Sequence, residues 1–441
     1  MAFDRDRQLT HLASSISVFA ITIGLVVGQS ATQKSLAQTS TTPAPSGVTS
    51  INGAGGGSIN TLLVGTGTTS PYAPQASWFN TYGVGNPTTL NPPGAVNPLV
   101  TFRYDAINSS VGVTAFFTQT PPPLTATNTA TILRPVSFAN TDDPITGTEK
   151  LSAGPNTGIP IQVPVITFGI ALAYNSSGLN VPVGGIKLSR ATYLGILNGT
   201  ITNWNNAKIK ADNGGRIITV NKPIVVVRRS DNSGNTFTLS SHLKAVFGAT
   251  WNRGVGQISI AQPAGGIPNP LPANTVVWPA NFQFASGSKG VATKIKTTAG
   301  AIGYVDNSTR LANGLQAAVL QNKAGTYNPI SPTSIGNAFV GATDQDASPR
   351  RIKLVVTDPT AANAYPIVTA TYMLFYGKYA DAKVTSGIKG FINWALGVPP
   401  VPAPPNATTN PNNIAIARGY APLPDAIKKQ ATTLVNTYVA P

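Results

Sequence analysis

Apolar segments of two kinds alternate along the chain. Residues 223–227 (PIVVV) are apolar without polar alternation, which is typical of a strand buried on both faces of a parallel sheet. Residues 237–247 (FTLSSHLKAVF) have apolar positions at helical spacing, and the capping residues 233–236 precede them. Because such strands and helices alternate throughout, the chain is predicted to have an α/β fold with mostly parallel sheets.

Other segments extend this α/β pattern. Residues 161–174 form a long apolar stretch, and helices are predicted at 186–197, 387–396 and 425–438. Further strands are predicted at 62–67, 100–107, 301–305 and 366–376.

Small hydroxyl and glycine residues follow several predicted strands, at residues 65–70, 108–110, 141–142 and 230–236. In an open α/β sheet, ligands bind outside the carboxyl ends of the strands. If these four loops converge, they form a pocket of neutral donors with one arginine and one or two aspartates. That chemistry suits a small dehydrated oxyanion better than a large apolar ligand.

Residues 228–237 (RRSDNSGNTF) carry the strongest local signal. The arginine at the strand end is a forked donor suited to phosphate or carboxylate. The helix that follows directs its N–H groups and the positive end of its dipole at the same place. Taken alone, such a segment is more often a capped helix with a surface ion pair.

The first residues predict export. Residues 1–37 place Arg5 and Arg7 before a short apolar run and end in a small-x-small cleavage site, so we expect a signal peptide. A retained anchor is the alternative. Residues 38–50 are polar, and we expect a disordered leader. The chain has no cysteine, which excludes a lipoprotein anchor, disulfides and thiol catalysis.

The formal net charge of +16 is compatible with nucleic acid, an anionic surface or small anions as partners. The cations are scattered, and aromatic residues are not interleaved with them, so we expect no nucleic-acid partner. The two histidines, His11 and His242, do not suit a histidine-rich metal site or a serine-histidine triad. We therefore expect no metal and no cofactor, and an exposed position for His242 on its helix.

A series of segments in chain order resembles the motifs of one family. Residues 228–237 match an Arg-Arg-x-Asp-Gly-Ser-Gly-Thr motif, and residues 300–305 match a Gly-Ala-Ile-Gly-Tyr motif. The remaining matches are residues 65–71 with Trp78, 104–112, 136–144, 194–204, 365–367 and 420–424. Over nearly the whole mature length, the chain thus resembles the periplasmic phosphate-binding proteins of the phosphate-specific ABC transporter.

The resemblance implies a two-lobed α/β fold, the periplasmic-binding-protein type II fold. Lobe I would comprise residues 51–164 and 366–441, lobe II would comprise 165–365, and the hinge would cross near 164–165 and 365–366. It further implies a periplasmic monomer that is not an enzyme. Such a protein binds inorganic phosphate by closing its lobes and delivers it to a membrane permease.

Carried over position by position, the implied phosphate ligands are Thr69, Ser70, Ser109, Asp142, Arg229, Ser233, Gly234 and Asn235. Asp231 would pair with Arg229 and hold its guanidinium group in a fixed orientation. Ser70 stands where the family has an aromatic residue. Asn235 replaces a threonine, although its amide could still donate.

Two glycine-rich segments are candidates for the first loop of this site. Residues 53–57 are closer in sequence to the family's first loop, whereas residues 65–70 have the same spacing to the downstream tryptophan as that loop. We favour residues 65–70, and the choice remains open on sequence.

Asp142 explains how such a site would reject sulfate. Phosphate keeps a proton at neutral pH and sulfate does not, so a buried carboxylate accepts a hydrogen bond only from phosphate.

Two rival functions remain. One is an exported phosphatase on the same fold, which the scarcity of histidine and of clustered carboxylates disfavours. The other is phosphate sensing or storage without transport.

Overall fold

The computed structural model describes residues 48–65, 77–83, 96–97, 99–121, 135–145, 154–256, 276–397 and 409–441. The predicted signal peptide, most of the predicted leader, and Thr69 and Ser70 lie outside the described residues. Thr49 and Ser50, which the sequence assigned to the leader, instead begin the first strand and pair with Val100 and Thr101.

Nine of the described strands form one curled sheet, in the order β2-β1-β3-β12-β4-β8-β6-β7 with β9 paired to β4. Strands β5, β10 and β11 form a separate small sheet. The bounds are β1 Thr49–Gly55, β2 Val100–Ala106, β3 Phe138–Thr141, β4 Ile161–Tyr174, β5 Lys187–Leu188, β6 Val225–Arg229, β7 Gln283–Ala285, β8 Ala301–Asp306, β9 Gln316–Ala317, β10 Val319–Gln321, β11 Tyr327–Asn328 and β12 Val368–Phe375.

The helices pack against this sheet. Their bounds are α1 Asn60–Leu63, α2 Trp78–Tyr82, α3 Ser109–Thr118, α4 Arg190–Asn198, α5 Ala207–Asp212, α6 Gly234–Phe247, α7 Gly287–Thr297, α8 Asn307–Ala312, α9 Pro332–Ala338, α10 Ala382–Ala395, α11 Pro411–Ala417 and α12 Asp425–Tyr438. A 3-10 helix, Gly57–Ile59, directly precedes α1.

Strand β4 belongs to both halves of the sheet. It pairs antiparallel with β12 as far as Gly169, and from Ile170 onward it pairs antiparallel with β8. Pro164 lies beside the register shift in the β4–β12 pairing, where a residue without an N–H is tolerated. All fourteen residues of β4 are buried, including the polar residues Gln162 and Thr167.

The partner change in β4 marks the boundary between two lobes. Ile170 N donates to Ile367 O at 2.9 Å, so the outgoing and returning chains lie side by side there. The crossover predicted at residues 164–165 lies inside the part of β4 that still pairs with β12. We therefore propose that lobe I is 48–169 with 368–441 and that lobe II is 170–367.

Parallel pairing dominates outside the two central antiparallel strands. In lobe I, β1 pairs parallel with β2 and β3, and in lobe II, β6 pairs parallel with β7 and β8. The carboxyl ends of parallel strands lie at the same edge of a sheet, which places the loops after them together. The α/β prediction is confirmed.

One element was predicted wrongly. Residues 62–63, expected in a strand, end the short helix α1. Residues 186–197 contain strand β5 before helix α4, which begins after the cap Ser189 and ends at Gly199 in the left-handed conformation. None of the described helices combines the length and the apolar character that crossing a membrane requires.

Candidate functional site: an oxyanion pocket between the lobes

The candidate site lies where strands of both lobes end. Gly55 ends β1 and Thr141 ends β3 in lobe I, while Arg229 ends β6 and Asp306 ends β8 in lobe II. Helices α3, α6 and α7 begin at the same edge. The backbone N–H groups of their first turns have no partner within the helix, and the positive ends of the helix dipoles favour an anion.

Asp142, directly after β3, is the acidic centre of this site. It is 2% exposed, and both its carboxylate oxygens accept from Ser58 Oγ at 2.8 Å. Helix α6 of lobe II closes over it at Gly234. A Cβ at Gly234 would lie 2.4 Å from the Cβ of Asp142 and 2.7 Å from its Oδ2. The lobes therefore meet at a position that only glycine accommodates.

The environment of Asp142 makes its ionised form less favourable than it is in water. Burial raises the pKa of Asp142 to about 6, and the nearby Asp306 carboxylate adds to this effect. The hydrogen bond from Ser58 and the charge of Arg229 act in the opposite direction. A proton shared between this carboxyl group and an oxyanion would satisfy both groups.

Arg229 and Asp231 form the pair that the sequence predicted. Arg229 Nε donates to Asp231 Oδ1 at 2.7 Å, and Arg229 Nη2 donates to Asp231 Oδ2 at 2.5 Å. Gly287 N, at the start of α7, also donates to Asp231 Oδ1 at 3.0 Å. Burial raises the pKa of Asp231, but the charge and the hydrogen bonds of Arg229 outweigh it and hold this pKa below its usual value. The pair is not a surface ion pair, since Arg229 is 6% exposed and Asp231 is half-buried.

The first turn of α6 holds the other predicted ligands of lobe II. Asn235 Nδ2 donates to Ser288 Oγ at 3.0 Å and to Asp306 Oδ2 at 3.4 Å. Its amide donors are therefore directed at protein acceptors. Two buried oxygens, Ser233 Oγ and Asn235 Oδ1, have no hydrogen-bond partner within the described part of the chain. Buried polar atoms without partners are rare, and a polar ligand would satisfy them.

Ser109 begins α3 on the lobe I side and is buried. Its neighbour is the earlier glycine-rich segment, because a Cβ at Gly56 would lie 3.0 Å from Ser109 Oγ. Residues 53–57 thus run from β1 into the site and lead to Ser58. The spacing in the sequence favours residues 65–70 instead. Gly65 follows α1 rather than a strand, and Thr69 and Ser70 lie outside the described residues.

Several residues of this site were not predicted from the sequence. Asp306 accepts from Ser308 Oγ at 2.6 Å and from Thr309 N at 2.8 Å, so it caps α8. Tyr420 OH donates to Ser58 O at 2.5 Å and lies 2.8 Å from Ser308 Oγ. Because Tyr420 belongs to lobe I and Ser308 to lobe II, this contact joins the lobes beside Asp142. The one available signal was the position of Asp306 directly after the Gly-Ala-Ile-Gly-Tyr motif.

His242 is buried, so the prediction that it is exposed is wrong. Its Nδ1 donates to Thr357 O at 2.6 Å, and its Nε2 lies 2.9 Å from Tyr193 OH. Burial lowers the pKa of His242 to about 4, which keeps the ring neutral and structural. Within the residues that the structure describes, no group of three or more His, Asp or Glu side chains is arranged to hold a metal ion.

Comparison with known proteins identifies the family. The PBP superfamily domain matches residues 35–398. The phosphate-binding protein PstS 3 of Mycobacterium leprae is 28% identical over 403 residues, which cover 87% of this chain and 94% of that protein. PstS 3 of Mycobacterium tuberculosis strain H37Rv is 30% identical over 307 residues, 68% of this chain and 72% of its own.

A solved structure agrees with this family at the level of the fold. The phosphate-binding protein from Stenotrophomonas maltophilia has a TM-score of 0.58 and 20% identity over 87% of this chain and 93% of its own. The chain therefore belongs to the PBP superfamily, in the family of the PstS phosphate-binding proteins. The two-lobed fold and the family resemblance predicted from the sequence are both confirmed.

Proposed function

We propose that this protein binds inorganic phosphate between its lobes and delivers it to the permease of an ABC transporter. The single observation that carries the proposal is Asp142, a buried carboxyl group that lies against Gly234 at the N-terminus of α6 and within the electrostatic influence of Arg229. A buried carboxyl group beside a helix N-terminus and an arginine suits an oxyanion that still has a proton. The names of the relatives support the same ligand.

The proposed phosphate ligands keep the assignment made from the sequence. They are Thr69, Ser70, Ser109, Asp142, Arg229, Ser233, Gly234 and Asn235, with Asp231 holding the guanidinium in place. We add the backbone of residues 56–58 as a further source of donors, because this segment lies between Ser109 and Asp142.

Phosphate release requires the lobes to separate. The contacts between Asp142 and Gly234 and between Tyr420 and Ser308 join lobe I to lobe II. We propose a hinge at the two crossovers, near Gly169–Ile170 and Ile367–Val368, where the chain passes between the lobes. The protein acts as an exported monomer with a cleaved signal peptide, without a lipid anchor and without catalytic turnover.

The proposed function is tested by calorimetric titration of the mature protein after unfolding and refolding to strip bound anion. Phosphate and sulfate are compared at about pH 8, where sulfate has no proton and phosphate keeps one. We expect one-to-one binding of phosphate and no binding of sulfate. If neither anion binds, or if sulfate binds as tightly as phosphate, the proposal is wrong.

A further inference from the structure

The positive charge of the chain is concentrated in lobe II. Residues 170–367 contain 18 Lys and Arg residues and six Asp residues, a net charge of +12 out of the +16 of the whole chain. Two of those aspartates, Asp231 and Asp306, lie in the oxyanion site with Arg229. The excess of cations therefore lies elsewhere in the lobe.

Six of these cations lie on segments that hydrogen bonds join at the end of lobe II where strand β6 begins. They define a basic face: Lys187, Lys208, Lys210, Arg216, Lys222 and Lys296. Two of them, Arg216 and Lys222, lie in the loop that precedes β6, and hydrogen bonds join this loop to residues 175–186. Asn180 N donates to Ile218 O at 2.7 Å, and Lys222 Nζ donates to Ser177 O at 2.9 Å. The face is a fixed part of the fold rather than a set of independent loops.

The basic face has almost no acidic neighbours. Asp212 is the one acidic residue between positions 175 and 222, and its carboxylate accepts from Ser189 N at 2.7 Å and from Tyr327 OH at 3.1 Å. The ion pairs of Arg190, Arg229, Arg351 and Lys428 with carboxylates involve no residue of the basic face. Six cations with one neighbouring aspartate leave this face with a net positive charge.

The basic face is too far from the oxyanion site to bind the same ligand. It lies at the amino end of β6, whereas Arg229 ends that strand. Five residues of strand span roughly 16 Å, which exceeds the Debye length of about 8 Å at physiological ionic strength. Holding phosphate in the site does not explain these charges.

Exposed β-branched apolar residues lie among the cations. Val183 is fully exposed, Val220 is 83% exposed and Ile217 is 55% exposed. They belong to the same two loops, since Asn180 Nδ2 donates to Ile217 O and its backbone N donates to Ile218 O. Cations that surround exposed apolar side chains are typical of surfaces that bind at a lipid headgroup layer and insert into its apolar boundary.

We propose that the basic face docks lobe II on an anionic phospholipid surface. The cations would lie against the lipid phosphates, and Val183, Ile217 and Val220 would enter the headgroup boundary. The oxyanion site, at the opposite end of β6, would remain accessible to phosphate in this docked state, and delivery to a permease would require the protein to leave the lipid and turn. This proposal does not depend on the proposed function, because it concerns a different surface and a different partner.

The proposal is tested by sedimentation of the full mature chain with vesicles. One set contains equimolar phosphatidylglycerol and phosphatidylcholine, and the other contains phosphatidylcholine alone. We expect binding to the anionic set only, weakened strongly when salt rises from about 0.05 M to about 0.5 M. The triple variant Lys208→Gln, Lys210→Gln, Arg216→Gln should lose about fivefold in affinity per cation, on the order of 100-fold in total.

A charge-matched control separates the basic face from overall charge. The triple variant Lys378→Gln, Lys383→Gln, Lys429→Gln removes three exposed cations from lobe I and should bind anionic vesicles within about twofold of the parent. A second variant, Val183→Ser, Ile217→Ser, Val220→Ser, keeps every charge and should weaken vesicle binding. Phosphate titration of all variants should give unchanged affinity, which shows that each is folded.

Three results would overturn the proposal. The first is the absence of binding to anionic vesicles at low salt. The second is an equal loss of binding in the two charge-matched triple variants, which would mean that the overall charge of the protein, and not the basic face, controls vesicle binding. The third is tight binding to duplex DNA that responds to the cation variant and not to the serine variant, because a nucleic acid needs the cations alone.

Discussion

The two ends of the five-residue strand β6 differ in burial and in how their charges are paired. At the carboxyl end, Arg229 is buried and paired with Asp231, and the polar atoms around them are ordered by hydrogen bonds. At the amino end, five of the six cations of the basic face are exposed and Lys222 is half-buried, and the ion pairs of Arg190, Arg229, Arg351 and Lys428 involve none of them.

This difference shows that charge alone does not define a binding site. A small dehydrated anion needs few donors at fixed positions, so each donor must be buried and held by its neighbours. An extended anionic surface is recognised by many cations that remain hydrated and movable. Changes at the ordered end should therefore alter anion binding or stability, and matched changes elsewhere in the molecule should not.

The largest expected effect is a loss of anion discrimination on Asp142→Asn. The amide offers sulfate a donor where the carboxylate offered only lone pairs. The preference for phosphate over sulfate should fall by about 3 kcal/mol, on the order of 100-fold. Competition titrations at about pH 8 measure this ratio. Asp212→Asn, at the other end of lobe II, should leave it unchanged, and a variant of Asp142 that still rejects sulfate would contradict the account.

The same variant should change how stability depends on pH. The folded state raises the pKa of Asp142 from 3.8 to about 6, so between these values the folded state holds a proton that the unfolded state has lost. The contribution of Asp142 to stability therefore falls as pH rises through this window.

Asp142→Asn should accordingly stabilise the anion-free protein by about 2–3 kcal/mol at pH 7 and by almost nothing at pH 4. Urea unfolding at the two pH values measures the difference. Asp425→Asn is the control, since the side chain of Asp425 is 89% exposed and should give no gain at either pH. A gain that is equal at both pH values would mean that titration of Asp142 is not its cause.

A smaller effect is expected from Gly234→Ala. The added methyl would lie 2.4 Å from the Cβ of Asp142, so helix α6 must move away from lobe I. Phosphate affinity should fall by about 2 kcal/mol, roughly 30-fold. Gly290→Ala in α7 is the matched control, because its methyl meets only the Cβ of Ala285 at 3.5 Å. Equal affinities of the two variants for phosphate would show that the lobes need not approach so closely.

The smallest effect is expected from Tyr420→Phe. The hydroxyl group connects Ser58 O with Ser308 Oγ across the lobes, and its loss should weaken phosphate binding by about 1 kcal/mol, roughly fivefold. Tyr379→Phe removes a comparable buried hydroxyl group within lobe I, where it donates to Ser137 O at 2.6 Å. It should lower stability without changing phosphate affinity. If Tyr379→Phe weakened phosphate binding and Tyr420→Phe did not, the hydroxyl group of Tyr420 would have no role in the closure of the lobes.

Features that are local in the chain were predictable. The pairing of Arg229 with Asp231 spans two residues, and α6 begins within the same segment, so the strand, the ion pair and the helix start were read from neighbouring positions. The apolar character of residues 161–174, which form β4, was also evident locally, whereas their strand conformation was not predicted.

Features that depend on distant contacts were not predictable. Ser58 and Asp142 are 84 residues apart, and Asn235 and Asp306 are 71 residues apart. The choice between residues 53–57 and 65–70 also depended on which of them ends a strand, and short glycine-rich segments carry little information on that. His242 was misjudged because Thr357, which covers its ring, is 115 residues away.

The sequence by itself determined the alternation of strands and helices, the chemistry of each loop and the total charge of +16. These follow from side-chain type and from periodicities of a few residues. Only the tertiary structure decided which loops converge on Asp142, how far burial raises its pKa, and that paired and unpaired cations lie at opposite ends of one strand. Burial and electrostatic fields are sums over atoms brought together by folding, so no single segment of the chain contains them.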